Sequence, residues 1–219
     1  MELTKSFESQ VPAALLDRYE FREVRNGAAV IASTNPDLWS EVLEVLRRFR
    51  LEKSDLTDQG GNKSDLAARI DRHFREFGWR ESRVDTLIEL ALKVMPYGKA
   101  GESQVTEIKS VVQNRGYKVD NFKGRLALDV EWNAKDGNLD RDLSAYRALY
   151  DFALIDAAIL ITRTQDDLRR LALHLDPAST QLKTTTTTNL AKLEPRLARG
   201  DAGGCPVLAI AISSKTFCD

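Results

Sequence analysis

The sequence predicts an α/β fold, a central mixed β-sheet flanked by helices, and three observations carry that reading. Residues 117–133, YKVDNFKGRLALDVEWN, alternate in polarity on either side of a short polar turn, Asn121-Phe122-Lys123-Gly124, as a hairpin does. Residues 139–154 repeat apolar positions at helical spacing, with Leu143, Tyr146, Leu149, Tyr150 and Ala153 along one side. Residues 156–162 are the most apolar run and read as a central strand covered on both faces. Strand, helix and strand in that order call for a right-handed crossover with parallel pairing.

The remaining elements follow in chain order. Residues 18–33 hold two β-leaning runs around Asn26-Gly27, a two-residue hairpin signal. Residues 38–49 are an amphipathic helix ending in Arg47, Arg48 and Arg50, which complement its dipole. A polar loop then reaches Gly60-Gly61-Asn62-Lys63-Ser64, without Walker spacing, and precedes a helix over 65–77. Residues 87–94 are expected to be part of a third helix, stopped by Met95-Pro96-Tyr97-Gly98, and 99–115 lead into the hairpin. After the crossover come a helix over 165–173, a threonine-rich stretch over 181–192, a short helix over 190–197 and a last apolar strand over 206–212.

A chain of 219 residues is long enough for one large domain, taken here as 1–219, with a catalytic core over about 100–165. The net charge of −1 excludes a globally basic surface but leaves room for a local basic cleft. Two cysteines, Cys205 and Cys218, make no disulfide framework, so a reducing cytoplasm is expected. The N-terminal stretch has no long apolar run, and the apolar run 153–161 is interrupted by Asp156 and too short to span a bilayer.

The chemistry gathers on the hairpin. Leu126, Leu128, Val130 and Trp132 share one face, destined for a core, while Ala127, Asp129, Glu131 and Asn133 share the other. Pairing of the two strands brings Asp120 towards Asp129 and Glu131. Three carboxylates on one surface repel one another unless a cation or proton holds them. An oxygen-only set favours a hard ion, Mg2+. His73 and His174 are the only histidines, too few for a histidine-ligated metal centre.

Asp120, eight residues, then Asp129-Val130-Glu131 resembles the core motif of the PD-(D/E)xK nucleases, and specifically the BglII-like type II restriction endonucleases. The run EWNAKDGNLDRDLSAYRALYDFALIDAAILITR resembles that family's strand–helix–strand continuation. The likeness spans about 117–163 and continues more weakly into the threonine run and GGCPVLAIAI. Two positions depart from the wider pattern: Val119 stands where proline is usual and Glu131 where lysine is usual. Replacement of that lysine by Gln or Glu is a habit of the BglII-like and BamHI-like enzymes. The resemblance implies a restriction-endonuclease-like core and Mg2+-dependent hydrolysis of double-stranded DNA by a homodimer at a palindromic site. It implies Asp120 and Asp129 as metal ligands, joined by the Val130 carbonyl, and Glu131 as a carboxylate for water activation or a second cation. Asn133 is placed to bond water or phosphate, and Lys135 to supply positive charge. Glu107, chosen over Glu102, is the further acid that such sites draw from the segment before the first core strand.

Base reading has to come from elsewhere. The five threonines of 184–188, flanked by Lys183, Asn189 and Lys192, suit a plain edge strand or loop, or contacts to base edges and phosphates. DNA contact is the expectation carried forward, with Thr185, Thr186, Thr187 and Asn189 as readers, Lys183 and Lys192 on phosphates, and Lys63 of the 58–65 segment as a further phosphate contact. Two alternatives stand beside the restriction enzyme: a repair or structure-specific nuclease on the same core, and a non-catalytic DNA-binding module.

Overall fold

The computed structural model describes residues 1–58, 65–183 and 186–218. They form two compact units, Met1–Glu81 with Val119–Asp219, and Ser82–Lys118. Along the chain run α1 (Phe7–Gln10), α2 (Ala13–Leu16), β1 (Tyr19–Val24), α3 (Gly27–Thr34), α4 (Pro36–Arg48), α5 (Lys53–Thr57), α6 (Asp65–Glu76), β2 (Arg80–Val94), β3 (Thr106–Lys123), β4 (Leu126–Val130), α7 (Gly137–Asp151), β5 (Ala157–Arg163), α8 (Asp166–Leu175), α9 (Leu190–Arg199) and β6 (Val207–Ile212). The strands stand in the order β1-β6-β5-β4-β3-β2. β4, β5 and β6 run parallel, with Leu128 beside Ile159 and Ile159 beside Leu208. β1 is antiparallel to β6, and β3 to β4. The sheet is therefore mixed, and helices flank its buried strands β4, β5 and β6, as the α/β reading requires.

The pleat sorts side chains between two layers. Leu126, Leu128, Val130, Ile159, Ile161, Leu208 and Ile210 pack with Val42, Leu46, Leu66, Ile70 and Phe74 of α4 and α6 in one core. Ala127, Asp129, Ala158 and Leu160 turn to the opposite face. There α7 packs against β5 and α9 against β6 and β1. Burial of each large side chain contributes about 1.5–3 kcal/mol, so β4, β5 and β6 make a stiff platform.

Three details differ from the sequence reading. Asn26-Gly27 does not close a hairpin; it turns β1 directly into α3. Asn26 is left-handed, at φ 53°, and a Cβ on Gly27 would stand 2.8 Å from the Val207 carbonyl carbon, so glycine lets α3 approach β6. Buried Glu23 then accepts the Ala28 N–H at 2.8 Å at the helix start, where the dipole favours a carboxylate. Residues 87–94 are strand, not helix. Leucine, alanine and glutamate favour helices individually, but Ile88, Leu90, Leu92 and Val94 recur every second residue, and that period decides. The hairpin turn lies at Gly124 and Arg125, because Asn121, Phe122 and Lys123 already pair with Leu128, Ala127 and Leu126.

The second unit holds most of β2 and the first part of β3. Within it Arg83 binds Asp85 at 2.7 Å, and Asp85 also accepts the Gly116 N–H at 3.2 Å.

Candidate active site

The register of β3 and β4 sets Asp120 opposite Asp129, one step beyond the Asn121–Leu128 pair. The Asp120 N–H donates to Asp129 Oδ1 at 2.8 Å, and the Tyr146 hydroxyl of α7 donates to Oδ2 at 2.7 Å. Asp129 is buried, and its pKa is pushed up to about 7, chiefly by desolvation and then by the neighbouring Asp142 charge. The two donors oppose that rise. Tyr146, buried beside three acids, is held well above the usual phenol range and stays a donor.

Glu131 follows β4 and is clamped through its backbone. Its N–H donates to the Ile161 carbonyl at 2.8 Å, and its own carbonyl accepts the Thr162 and Thr188 hydroxyls, each at 2.9 Å. Its carboxylate is buried, with Asn138 Nδ2 and Arg141 Nη2 at 3.4 Å. Burial, then repulsion from Asp142, pushes its pKa up to about 8. Asp142 is raised by burial as well, although Arg141 holds its Oδ1 at 2.8 Å. Its Oδ2 is buried without a hydrogen-bond partner among the described residues.

Three buried carboxylates, Asp129, Glu131 and Asp142, thus face one guanidinium. Such a cluster needs further positive charge or protons. Among the described residues no three His, Cys, Asp or Glu side chains stand close enough together to hold an ion by themselves. A Mg2+-like ion fits nonetheless, because it binds through one or two carboxylates and fills its shell with carbonyl, water and phosphate oxygens. The excess negative charge and the orphaned Asp142 oxygen both fit a cation.

Of the residues singled out from the sequence, Asp120 and Asp129 are in contact, with Glu131 two positions along. Asn133 is exposed beyond the end of β4, and Lys135 is exposed and bridges to Thr187. Glu107 lies in the second unit, 3.4 Å from Lys109. Lys63, the rest of the 60–64 loop, Thr184 and Thr185 lie outside the described residues. Lys183 and Thr186 are exposed. Thr187 accepts Arg163 Nη2 at 2.9 Å, and Lys192 Nζ donates to Asp136 at 3.0 Å. Asn189 is buried and caps α9, its Oδ1 accepting the Lys192 N–H at 3.1 Å.

Asn138, Arg141, Asp142 and the polar role of Tyr146 were missed. A signal existed: positions 138, 142 and 146 recur every four residues, so one stripe of α7 carries an amide, a carboxylate and a phenol. A second buried polar pair, Asn121 with Asp71 of α6 at 2.8 Å, belongs to the opposite face of the sheet and is kept out of the site.

A mixed sheet with an antiparallel hairpin, a parallel crossover and carboxylates gathered at the end of its central strand defines a restriction-endonuclease-like nuclease. The family model for restriction endonuclease BglII/BglIII matches residues 19–212, from the first residue of β1 to the last of β6, and the chain belongs to that family. No curated protein matches the chain. Membership makes it a restriction endonuclease, a hydrolase acting on DNA. No helix among the described residues is long and apolar enough to cross a membrane.

Proposed function

We propose that this restriction endonuclease is a type II enzyme, dependent on Mg2+, that cuts double-stranded DNA at a palindromic site as a cytoplasmic homodimer. The observation that carries the reading is Asp129, fixed at both oxygens beside Asp120 and within one acidic cluster with Glu131. Asp120, Asp129 and the Val130 carbonyl would hold the ion, which when bound supplies charge neutralisation for the scissile phosphate and a more acidic water. Glu131 orients the attacking water and accepts its proton as the new P–O bond forms and the bond to the leaving oxygen breaks. Arg141 supplies the positive charge that Glu131 removes from the usual lysine position. Asn133, Lys135 and Glu107 stay candidates for phosphate, water and metal contacts. Exposed Lys183 and Thr186 support DNA contact by the 181–192 segment, and Lys63 is proposed for a phosphate.

Digestion of a plasmid of known sequence with Mg2+ or with EDTA, followed by end sequencing, tests this. Discrete fragments sharing a palindrome support it. Cutting only at flaps or junctions favours a structure-specific nuclease, and binding without cleavage a non-catalytic module.

A further inference from the structure

The sheet ends at β2. One side of this 15-residue strand therefore has no strand to pair with among the described residues, and from Leu87 to Val94 every side chain is exposed. Leu87, Leu90 and Leu92 are 61%, 56% and 60% exposed. Long apolar edges pair with other chains unless like charges, proline or bulges blunt them. Residues 87–94 contain no proline and two charges, Glu89 and Lys93, which are opposite in sign.

The spacing of those two charges selects a partner. In an antiparallel pair of identical strands related by a two-fold axis through the sheet, residues directly opposite one another lie at equal distances from the axis. An axis at Glu89 or at Lys93 would set like charges face to face. An axis at Leu90 would set Glu89 against Ala91 and Lys93 against Leu87. An axis at Ala91 sets Glu89 of each copy against Lys93 of the other, Leu90 against Leu92, and Ile88 against Val94. Opposite charges and apolar pairs across strands each stabilise a sheet, and symmetry makes every pair occur twice.

We propose that β2 is a dimerisation edge, which pairs antiparallel with β2 of a second copy of this chain about an axis at Ala91. The backbone groups of the free edge supply the affinity, and the Glu89–Lys93 pairs set the register. The proposal rests on the homodimer part of the reading above and not on the nuclease chemistry.

Sedimentation equilibrium of the full chain without DNA, combined with cysteine cross-linking, tests it. The wild-type chain should be a dimer. Lys93→Glu and Glu89→Lys should each raise the dimer dissociation constant about tenfold or more, and the double exchange should restore it. In a Cys218→Ser background, Ala91→Cys should cross-link on oxidation, because opposite Cα atoms stand about 4.5–5.5 Å apart, within disulfide range. Glu89→Cys should not, because its two copies would be about 13 Å apart. A monomeric wild type overturns both the homodimer reading and this edge. A dimer that ignores the charge reversals, or leaves Ala91→Cys uncrosslinked, overturns the edge alone.

Discussion

Tyr146 and Asp129 are joined by a 2.7 Å hydrogen bond from the phenol to Oδ2, on the side of the carboxylate away from the Asp120 N–H. Each carboxylate oxygen offers two lone pairs, so both oxygens keep one for a cation. The bond ties the crossover helix α7 to β4 and so couples the packing of one layer to the aim of Asp129, the proposed metal ligand.

Tyr146→Phe removes that donor and keeps the ring. The expected result is a fall in kcat of about tenfold or more at nearly unchanged KM, with a stability loss of about 1–2 kcal/mol. Weaker Mg2+ binding by titration should accompany it. Unchanged kcat and unchanged metal affinity would show that the phenol only packs.

The acidic cluster gives the metal-free protein a pH dependence of definite sign. Asp129 and Glu131 sit at about 7 and about 8 when folded, against ordinary values of 3.8 and 4.5. Between the ordinary and folded values the folded state binds more protons than the unfolded chain, so stability falls as pH rises through that window. Below it both states are protonated and the penalty vanishes. Melting in EDTA should therefore move to lower temperature from about pH 5 to about pH 8, and Mg2+ should reverse much of the loss. A flat profile in EDTA would contradict the clustering of these charges.

Removing one carboxylate separates stability from activity. Asp142→Asn should raise the melting temperature of the metal-free protein at alkaline pH, because it relieves repulsion on Asp129 and Glu131, and yet slow cleavage. Glu131→Gln should do the same with a larger loss of rate. Asp120→Ala and Asp129→Ala should abolish cleavage and leave DNA binding largely intact. Wild-type cleavage by either alanine variant would remove the metal assignment.

Much of this site was legible because a strand has the simplest pattern. The spacing of Asp129 and Glu131 on a hairpin brought Asp120 towards them, but a turn over 121–124 would pair Asp120 with Arg125, and it is the turn at Gly124 and Arg125 that sets Asp120 opposite Asp129. For Asp142 the only sequence signal was its four-residue spacing from Asn138 and Tyr146, which does not by itself show burial. A single acid on an amphipathic helix looks like solvated surface until the helix is docked, and only α7 packed on β5 shows it buried. The error over 87–94 has a different cause: the residue types favour a helix, and the weaker alternating period prevails in an exposed ribbon. Asn26-Gly27 misled because the same left-handed residue that closes a hairpin also turns a strand into a helix.

Among the described residues of the threonine stretch, Lys183 and Thr186 meet solvent, whereas Thr187, Thr188 and Asn189 are tied into the protein beside Glu131 and α9. Thr188 donates to the Glu131 carbonyl at 2.9 Å, the Thr188 N–H reaches the Ala134 carbonyl at 2.9 Å, and Asn189 caps α9. Arg163, wholly buried and lowered to about 10 by that burial, spans the Trp132 carbonyl and Thr187, and so ties this stretch to the end of β4. Asn189→Ala should consequently cost about 1 kcal/mol of stability, as loss of an N-cap does. Thr188→Val should lower kcat through the position of Glu131. Lys183→Ala and Thr186→Ala, at exposed positions, should leave melting unchanged. Lys183→Ala should weaken binding to all duplexes alike and flatten the salt dependence by about one phosphate contact, whereas Thr186→Ala should reduce discrimination against a one-mismatch site. Denaturation curves, with binding titrations at two salt concentrations on cognate and mismatched duplexes, separate the two sets. If Lys183→Ala and Thr186→Ala bind both duplexes as wild type does, the stretch is a brace for Glu131, and the base-reading surface belongs to another part of the chain.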